Sequence, residues 1–299
     1  MQSQRLERLS HAQRERLAYI DFRLYFMGEV GRPDLARRFG VAPAGATRDL
    51  ALYREIASRN IVFDGSSKVY RIGEAFSPAF EHTAVRVLSV LAHGFGDGVE
   101  VDPQPLLPCE SPTALSNPDM AVLAPICRAI HAGRPVAIRY YSMSSGVSNR
   151  VIVPFALVDT GLRWHVRAFD RRHGEFRDFV ITRIEAPHVL DEAPQPNELP
   201  GNDIQWTRIV ELDFVPHPRL TRPEIVCMDY GMKEGVLHMR VRAAVAGYML
   251  LRWSVDCSPD HRLAEEQYRL WLADPLALYG VENARLAPGY QPPVKQQEP

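Results

Sequence analysis

The chain has 299 residues, 46% of them hydrophobic, with 35 Lys and Arg against 36 Asp and Glu, enough apolar material for two or three domains with cores of their own. No apolar run approaches the roughly 20 residues that span a bilayer, and the polar start MQSQRLERLS lacks the apolar centre of a signal peptide, so a cytoplasmic location is expected. Cys109, Cys127, Cys227 and Cys257 lie far apart without C-x-x-C pairing, which argues against a zinc site and a disulfide framework.

In chain order, Ser10 and Gln13 form an S-x-x-Q helix start, and Leu17, Ile20, Leu24 and Met27 mark one apolar face behind it. Tyr19, Phe22, Tyr25 and Phe26 widen that surface beyond the needs of one small domain, leaving either a second chain or the rest of this one to cover it. Residues 32–72 then read as a complete winged helix-turn-helix. Pro33 and Asp34 open a short helix that Gly40 closes. A second helix starts near Pro43, with Ala46, Leu50, Tyr53 and Ala57 on its buried face, so Thr47, Arg48, Ala51 and Arg54 point outward. Small Ala44 and Gly45 let its front approach phosphates, and Arg48 can pair with a phosphate or a guanine edge. Two β-rich runs flank Asp64-Gly65-Ser66-Ser67, a hairpin turn with Lys68 and Arg71 just after it. Arg32, Ala44, Gly45, Thr47, Arg48, Arg54, Lys68 and Arg71 are therefore the expected DNA-binding residues. Charge supports this over a protein-binding module of the same shape: residues 1–72 hold 13 Lys and Arg against eight Asp and Glu, and the remainder 22 against 28. A DNA reader joined to a non-DNA domain has that asymmetry.

Residues 79–95 read as a helix with Val85, Leu88 and Leu91 or Ala92 on one side, followed by the linker-like run GDGVEVDPQPLLPCESPTALSNPD. Asp119 to Ala132 is another helix, closing at Gly133, after which the period becomes alternating. Strands VAIRYYS, VIVPFALV, RWHVRAFD and FRDFVITRIEA follow, with turns at Ser145-Gly146, Thr160-Gly161 and His173-Gly174. One helix and closely spaced strands predict a small antiparallel barrel. After a Pro-rich acidic spacer comes an α+β region: a strand ending at Pro216, a short helix or turn in LTRPEIVCMDYGM, a strand VLHMRVRAAVA, and a helix GYMLLRWSV whose Tyr248, Leu251, Arg252 and Val255 share a face. The expected domains are 1–75, a helical linker 76–117, 118–190 and 205–290.

Within the barrel, two-residue alternation puts Trp164, Val166 and Ala168 on a core face and His165, Arg167 and Phe169 on the other. It also places Arg177, Phe179, Ile181 and Arg183 together. Arg139 and Tyr141 share a side, beside the polar tip 142–145, Asn149 and Arg150. Arg, His, Tyr and Ser in one concavity suit a phosphate-bearing or nucleic-acid ligand. For each Arg the plain alternative is an ion pair with an acid such as Asp170 or Asp178.

This helix and barrel, with Tyr140-Tyr141-Ser142, Arg150, Pro154, Trp164-His165-Val166-Arg167-Ala168-Phe169 and Arg183, resembles the WYL domain, an Sm-like barrel found behind winged helices in bacterial transcription regulators. His165 and Val166 stand where the family name has Tyr and Leu. The Trp-His form is similar to the CapW or BrxR branch of dimeric repressors beside anti-phage defence operons. The resemblance implies an α+β multidomain fold of winged helix-turn-helix, Sm-like antiparallel β-barrel and small α+β C-terminal extension. It implies a homodimer on an inverted-repeat operator, released by a nucleotide or nucleic-acid effector held by Tyr141, Ser142, Ser144, Arg150, His165, Arg167, Arg177 and Arg183. Exchange of the C-terminal segment between subunits rests on the resemblance alone. No cofactor or metal is called for, and no catalytic residues are expected: Ser142, His165 and Asp170 lack a nucleophile elbow, and there is no Walker A loop or H-E-x-x-H motif. The remaining alternatives are an RNA or single-strand binding module and a ligand-dependent activator.

Overall fold

The S-x-x-Q signature marks the true start of the first helix. In the computed structural model, which describes residues 9–95, 106–110 and 115–292, α1 (His11–Met27) is capped by Ser10, whose Oγ accepts the Gln13 N–H at 3.3 Å. The chain separates into two units, residues 1–112 and 113–299.

In the first unit α1 is followed by β1 (Glu29–Val30), α2 (Arg32–Phe39), α3 (Pro43–Ile56), β2 (Ile61–Asp64), β3 (Val69–Ile72) and α4 (Ala84–His93). Gly40 ends α2 at φ 63°, a left-handed conformation that costs glycine little. Leu17, Ile20 and Leu24 of α1, Leu35 of α2, and Ala46, Leu50 and Tyr53 of α3 form the core. The wing sheet has three strands in the order β1-β3-β2; sequence alternation showed only two, because β1 is two residues long and has no period to read.

The wide aromatic surface of α1 is largely covered by this chain's own residues 76–95. Tyr19 and Phe22 pack edge-on against Phe95 at 4.9 and 5.1 Å, and Tyr25 stacks on Phe76 at 5.1 Å. A fully buried carboxylate fixes the cover: Asp21 accepts the Tyr53 hydroxyl, the Ala79 N–H (3.0 Å) and a contact from His82 Nε2 (2.8 Å). In α4, among the described residues, Val87 is buried, whereas on the predicted apolar side Val85 and Leu88 are 83% and 64% exposed and Leu91 is half-buried. Residues 96–105 and 111–114 of the linker lie outside the described residues.

The second unit begins with α5 (Met120–Ala132), capped by Asp119 and closed by Gly133 as the sequence indicates. A five-stranded antiparallel sheet follows: β4 (Val136–Ser142), β5 (Gly146–Asp159), β6 (Trp164–Asp170), β7 (Glu175–Val180) and β8 (Ile184–Val189), in the order β7-β6-β5-β4-β8. The expected closed barrel is not formed. β7 and β8 are the two edges of an open sheet, because a 3₁₀ turn at Ile181–Arg183 carries the chain across to β4, while the Val180 N–H goes to the Tyr140 hydroxyl at 3.3 Å. Of the four residues predicted to share a face in FRDFVITRI, Phe179 and Ile181 are buried, Arg177 near the start of edge strand β7 is exposed, and Arg183 on the turn is half-buried. Ile126 and Ala129 of α5 pack on Val136, Ile138, Ile152, Val166 and Ala168.

The C-terminal part contains the one-turn α6 (Ile204–Thr207), β9 (Ile209–Pro216), α7 (Pro223–Asp229), β10 (Leu237–Arg242), α8 (Ala243–Arg252), β11 (Val255–Asp256) and β12 (Leu270–Leu272). Its sheet order is β10-β9-β12-β11. Residues 243–246, read from sequence as the end of a strand, are the first turn of α8, and Val255 lies beyond the helix in β11. Leu212, Phe214, Leu250 and Leu272 centre this core.

Candidate functional sites

The outward side of α3 carries Ala44, Thr47, Arg48 and Arg54, all exposed. Alternation of buried Ala46, Leu50 and Tyr53 with these positions follows from the 3.6-residue period, and buried Asp49 is neutralised by Arg16 of α1 at 2.6 Å. Thr47 folds its hydroxyl back onto the Pro43 carbonyl at 2.9 Å, leaving Arg48 and Arg54 as the cations of that face. Gly45 is half-buried, and Arg32 is exposed at the start of α2. The wing turn is organised by Asp64, which accepts from the Ser66 N–H and both serine hydroxyls; those bonds hold its carboxyl far below the usual range. Lys68 is exposed at φ 56°. Arg71 is paired with Asp64 at 3.0 Å but its side chain is 57% exposed, so both Lys68 and Arg71 present charge at the wing's surface. The pairing of Arg71 was not readable from sequence, because it needs the hairpin register.

The eight residues expected around a ligand are not gathered in one cavity. Tyr141, Ser142 and Ser144 sit at the β4–β5 hairpin tip, where Tyr141 donates to Glu185 at 2.8 Å and Ser142 and Ser144 contact each other at 3.2 Å. The bond to Glu185, followed by desolvation, raises the Tyr141 pKa above its ordinary value. Arg150 is buried: its Nη1 meets Asp170 at 2.9 Å and its guanidinium lies 5.2 Å from the Tyr140 ring centroid. Because Tyr140 is buried with it and Tyr141 is exposed, the two predicted residues Arg150 and Tyr141 face opposite sides of the sheet.

On β6 both faces are covered. Val166 and Ala168 are core, as expected, while Trp164 at the strand's start is 41% exposed. His165 and Arg167 are buried on the other face, against the C-terminal part. Arg167 makes a two-pronged contact with Asp203, Nε to Oδ2 at 2.8 Å and Nη2 to Oδ1 at 3.0 Å, and reaches Asp178 at 3.3 Å. Burial works against this charge, but Asp203 and Asp178 outweigh it and hold the guanidinium above its ordinary pKa. Asp203 also caps α6 through the Gln205 and Trp206 N–H groups. Tyr248 of α8 donates to Asp178 at 3.2 Å, and its ring lies 5.3 Å from His165.

Two openings flank Tyr248. A cleft of about 300 Å³ is lined by Arg167, Arg177, Asp178, Tyr248 and Glu282; Arg177 is itself paired with Glu175. A smaller cavity of about 70 Å³ is lined by Arg163, His165, Tyr248, Leu251 and Arg252. Burial, then the charge of Arg163, pushes His165 down to about 4, with Arg183 adding to the effect. Sequence reasoning missed Asp203 as Arg167's partner, 36 residues away, and Arg163. It did register Tyr248, Leu251 and Arg252 as one helix face. Among the described residues no cluster of three or more His, Cys, Asp or Glu could hold a metal ion, and no helix is long and apolar enough to cross a membrane.

Family comparisons accord with this layout. Residues 12–93 match the BrxR transcriptional regulator winged helix-turn-helix domain, 121–189 the WYL domain, and 209–278 the BrxR transcriptional regulator C-terminal dimerization domain. The DNA-binding transcriptional repressor CapW of Escherichia coli (strain KTE188) is 32% identical over 90% of this chain and 91% of its own length. CapW of Stenotrophomonas maltophilia is 33% identical over 86% and 88%, and that of Pseudomonas aeruginosa 30% over 82% and 83%. A solved structure, proteasome accessory factor B/C of Arthrobacter aurescens, aligns at 18% identity and a TM-score of 0.25 over 91% of this chain and 48% of that one. With three domain models matched in order and repressors aligned over most of its length, the chain belongs to the CapW and BrxR family of WYL-domain transcriptional regulators.

Proposed function

We propose that this protein is a cytoplasmic, homodimeric repressor that binds an inverted-repeat operator upstream of an anti-phage defence operon and is released by a phosphate-bearing effector, a nucleotide or nucleic acid, at its WYL domain. The observation that carries the reading is the face of α3: Arg48 and Arg54 are exposed and without a carboxylate partner among the described residues, on a helix whose other side is locked into the core. Such a helix enters the major groove with its first turns against base edges, while the wing touches the backbone through Lys68 and Arg71. Arg32, Ala44, Gly45 and Thr47 complete the contact set. Two copies related by a two-fold axis read two half-sites, and the region matched by the dimerization model supports that pairing.

The test is fluorescence-anisotropy titration of the native upstream duplex, a scrambled duplex and a single strand at several salt concentrations. The expected result is a preference of at least ~10³ for the native duplex over the scramble. Equal, weak and salt-sensitive binding of all three probes would leave only a basic surface, and preference for the single strand would favour an RNA-binding module.

A further inference from the structure

We propose that Asp21, Tyr53 and Asn60 are positioning residues for the DNA-reading helix α3, and that they couple its seat to the docking of residues 77–82, the segment by which the chain leaves the wing. The inference rests on reading α3 as the helix that enters the operator, and it adds a means of regulation inside the first unit.

Two buried polar side chains carry it. Asp21 of α1 is wholly buried. Its oxygens accept the Tyr53 hydroxyl from α3, the N–H groups of Ala79 and Phe80 at 3.0 and 3.4 Å, and a contact from His82 Nε2 at 2.8 Å. One of these donors belongs to the reading helix and the other three to the departing segment. Asn60, 3% exposed, repeats the arrangement. Its amide nitrogen donates to the Tyr53 hydroxyl at 3.0 Å and to the Ser77 carbonyl at 2.7 Å, while its Oδ1 accepts the Ser77 N–H at 3.0 Å. Burial, then the bond to Asp21, raises the Tyr53 pKa and keeps the hydroxyl a donor.

A buried carboxylate is tolerated only while hydrogen bonds fill its lone pairs. If residues 77–82 lift away, Asp21 keeps the Tyr53 hydroxyl alone and Asn60 loses both bonds to Ser77. If α3 shifts and withdraws that hydroxyl, Asp21 depends on the departing segment. Each element therefore lowers the cost of holding the other, which is a coupling free energy and acts in both directions. Tension on residues 77–82 loosens the seat of α3, and an operator that fixes α3 tightens residues 77–82.

Amide hydrogen exchange of the full-length protein, free of DNA, tests the coupling. His82 lies among the rings of Phe22, Tyr25 and Phe26, so His82→Leu keeps an apolar side chain there and removes only the donor. It is expected to speed exchange about tenfold in both residues 77–82 and α3, with α2 changing less than about twofold. His82→Gln, which retains an N–H donor, restores most of the protection. In Tyr53→Phe, adding His82→Leu leaves α3 without further change. Acceleration of α2 along with the other two regions, acceleration confined to residues 77–82, or a full His82→Leu effect on α3 in the Tyr53→Phe background overturns the proposal. Melting curves establish that each variant is folded, and should Tyr53→Phe fail to fold, the pattern in His82→Leu and His82→Gln decides alone. Adding the native upstream duplex to the parent protein is expected to slow exchange about fivefold or more in residues 77–82 as well as in α3; protection of α3 alone also overturns the coupling. Absence of duplex binding counts against the repressor reading only, because the DNA-free exchange stands by itself.

Discussion

Replacing Arg167 by Met tests whether this residue is structural. Its side chain is 4% exposed and those of Asp203 and Asp178 are 2% and 11% exposed, so the substitution keeps most of the packing volume but strands two buried carboxylates. Asp203 would retain only its capping bonds from Gln205 and Trp206, and Asp178 only the Tyr248 hydroxyl. Breaking a buried pair by removing one partner costs about 3–5 kcal/mol, which for a unit of this size lowers the melting temperature by roughly 6–20 °C. Differential scanning calorimetry of the full chain measures it. Arg167→Met combined with Asp203→Asn should recover part of the loss, because the amide oxygen can still cap α6 while one stranded charge is gone. A loss below about 1 kcal/mol for Arg167→Met alone would refute the reasoning and leave the guanidinium available to an effector. The outcome also governs genetics: if the pair is structural, failure of Arg167→Ala to respond to effector identifies a damaged domain, not a lost ligand contact.

Three further outcomes follow from the geometry. Arg48→Ala should weaken operator binding by about 1–3 kcal/mol with the oligomeric state unchanged by light scattering; equal affinity removes Arg48 from the reading surface. Gly73→Ala would place a Cβ 2.0 Å from the Arg59 carbonyl oxygen, so at least about 1–3 kcal/mol of destabilisation is expected from overpacking, read as lost amide protection across β2 and β3; retained protection would show that the backbone gives way freely. His165, held at about 4 against an ordinary 6.5, resists in the folded state a proton that the unfolded chain accepts. Its stability contribution is therefore complete above pH 6.5 and is lost as pH falls through about 4, and His165→Gln should flatten the melting-temperature profile across that window. Parallel profiles for parent and variant would discard the assignment.

Local signals were legible wherever one short stretch contained both the cause and the effect. Ser10 with Gln13 marks a helix start, and Pro33 with Gly40 and Asp119 with Gly133 each bracket a helix, through capping chemistry confined to its end turns. The α3 face was legible because burial and exposure alternate at the helical period. The open sheet was not legible, since a 3₁₀ turn at 181–183 has no local breaker: Ile181, Thr182 and Arg183 read as strand, and only the choice of β4 as β8's neighbour reveals the bend. The shared side of Val85 and Leu88 is legible for the same local reason, but its burial is not. A helical stripe shows that one face is apolar without showing which partner covers it, and in α4 the buried position is Val87.

The same limit explains the arginines, and it sorts them. Alternation correctly put His165 and Arg167 on the face opposite Val166, but a strand covered on both sides cannot keep an unpaired guanidinium, because desolvation without a counter-charge costs several kcal/mol. The chain therefore has to bring its own acid, and it brings Asp203 from the spacer to Arg167 and Asp170 from the end of β6 to Arg150. The sequence already offers Asp170 and Asp178 as partners for these arginines, but the Asp203 pairing, 36 residues from Arg167, is visible only once the fold is known. Arg163 and Arg252 escape this requirement because they remain exposed at the β5–β6 turn and the end of α8, where water supports a charge. Exposed arginines at a turn and a helix end thus need no acid from the fold, whereas the strand arginines that look most ligand-like in sequence are those the fold has already paired.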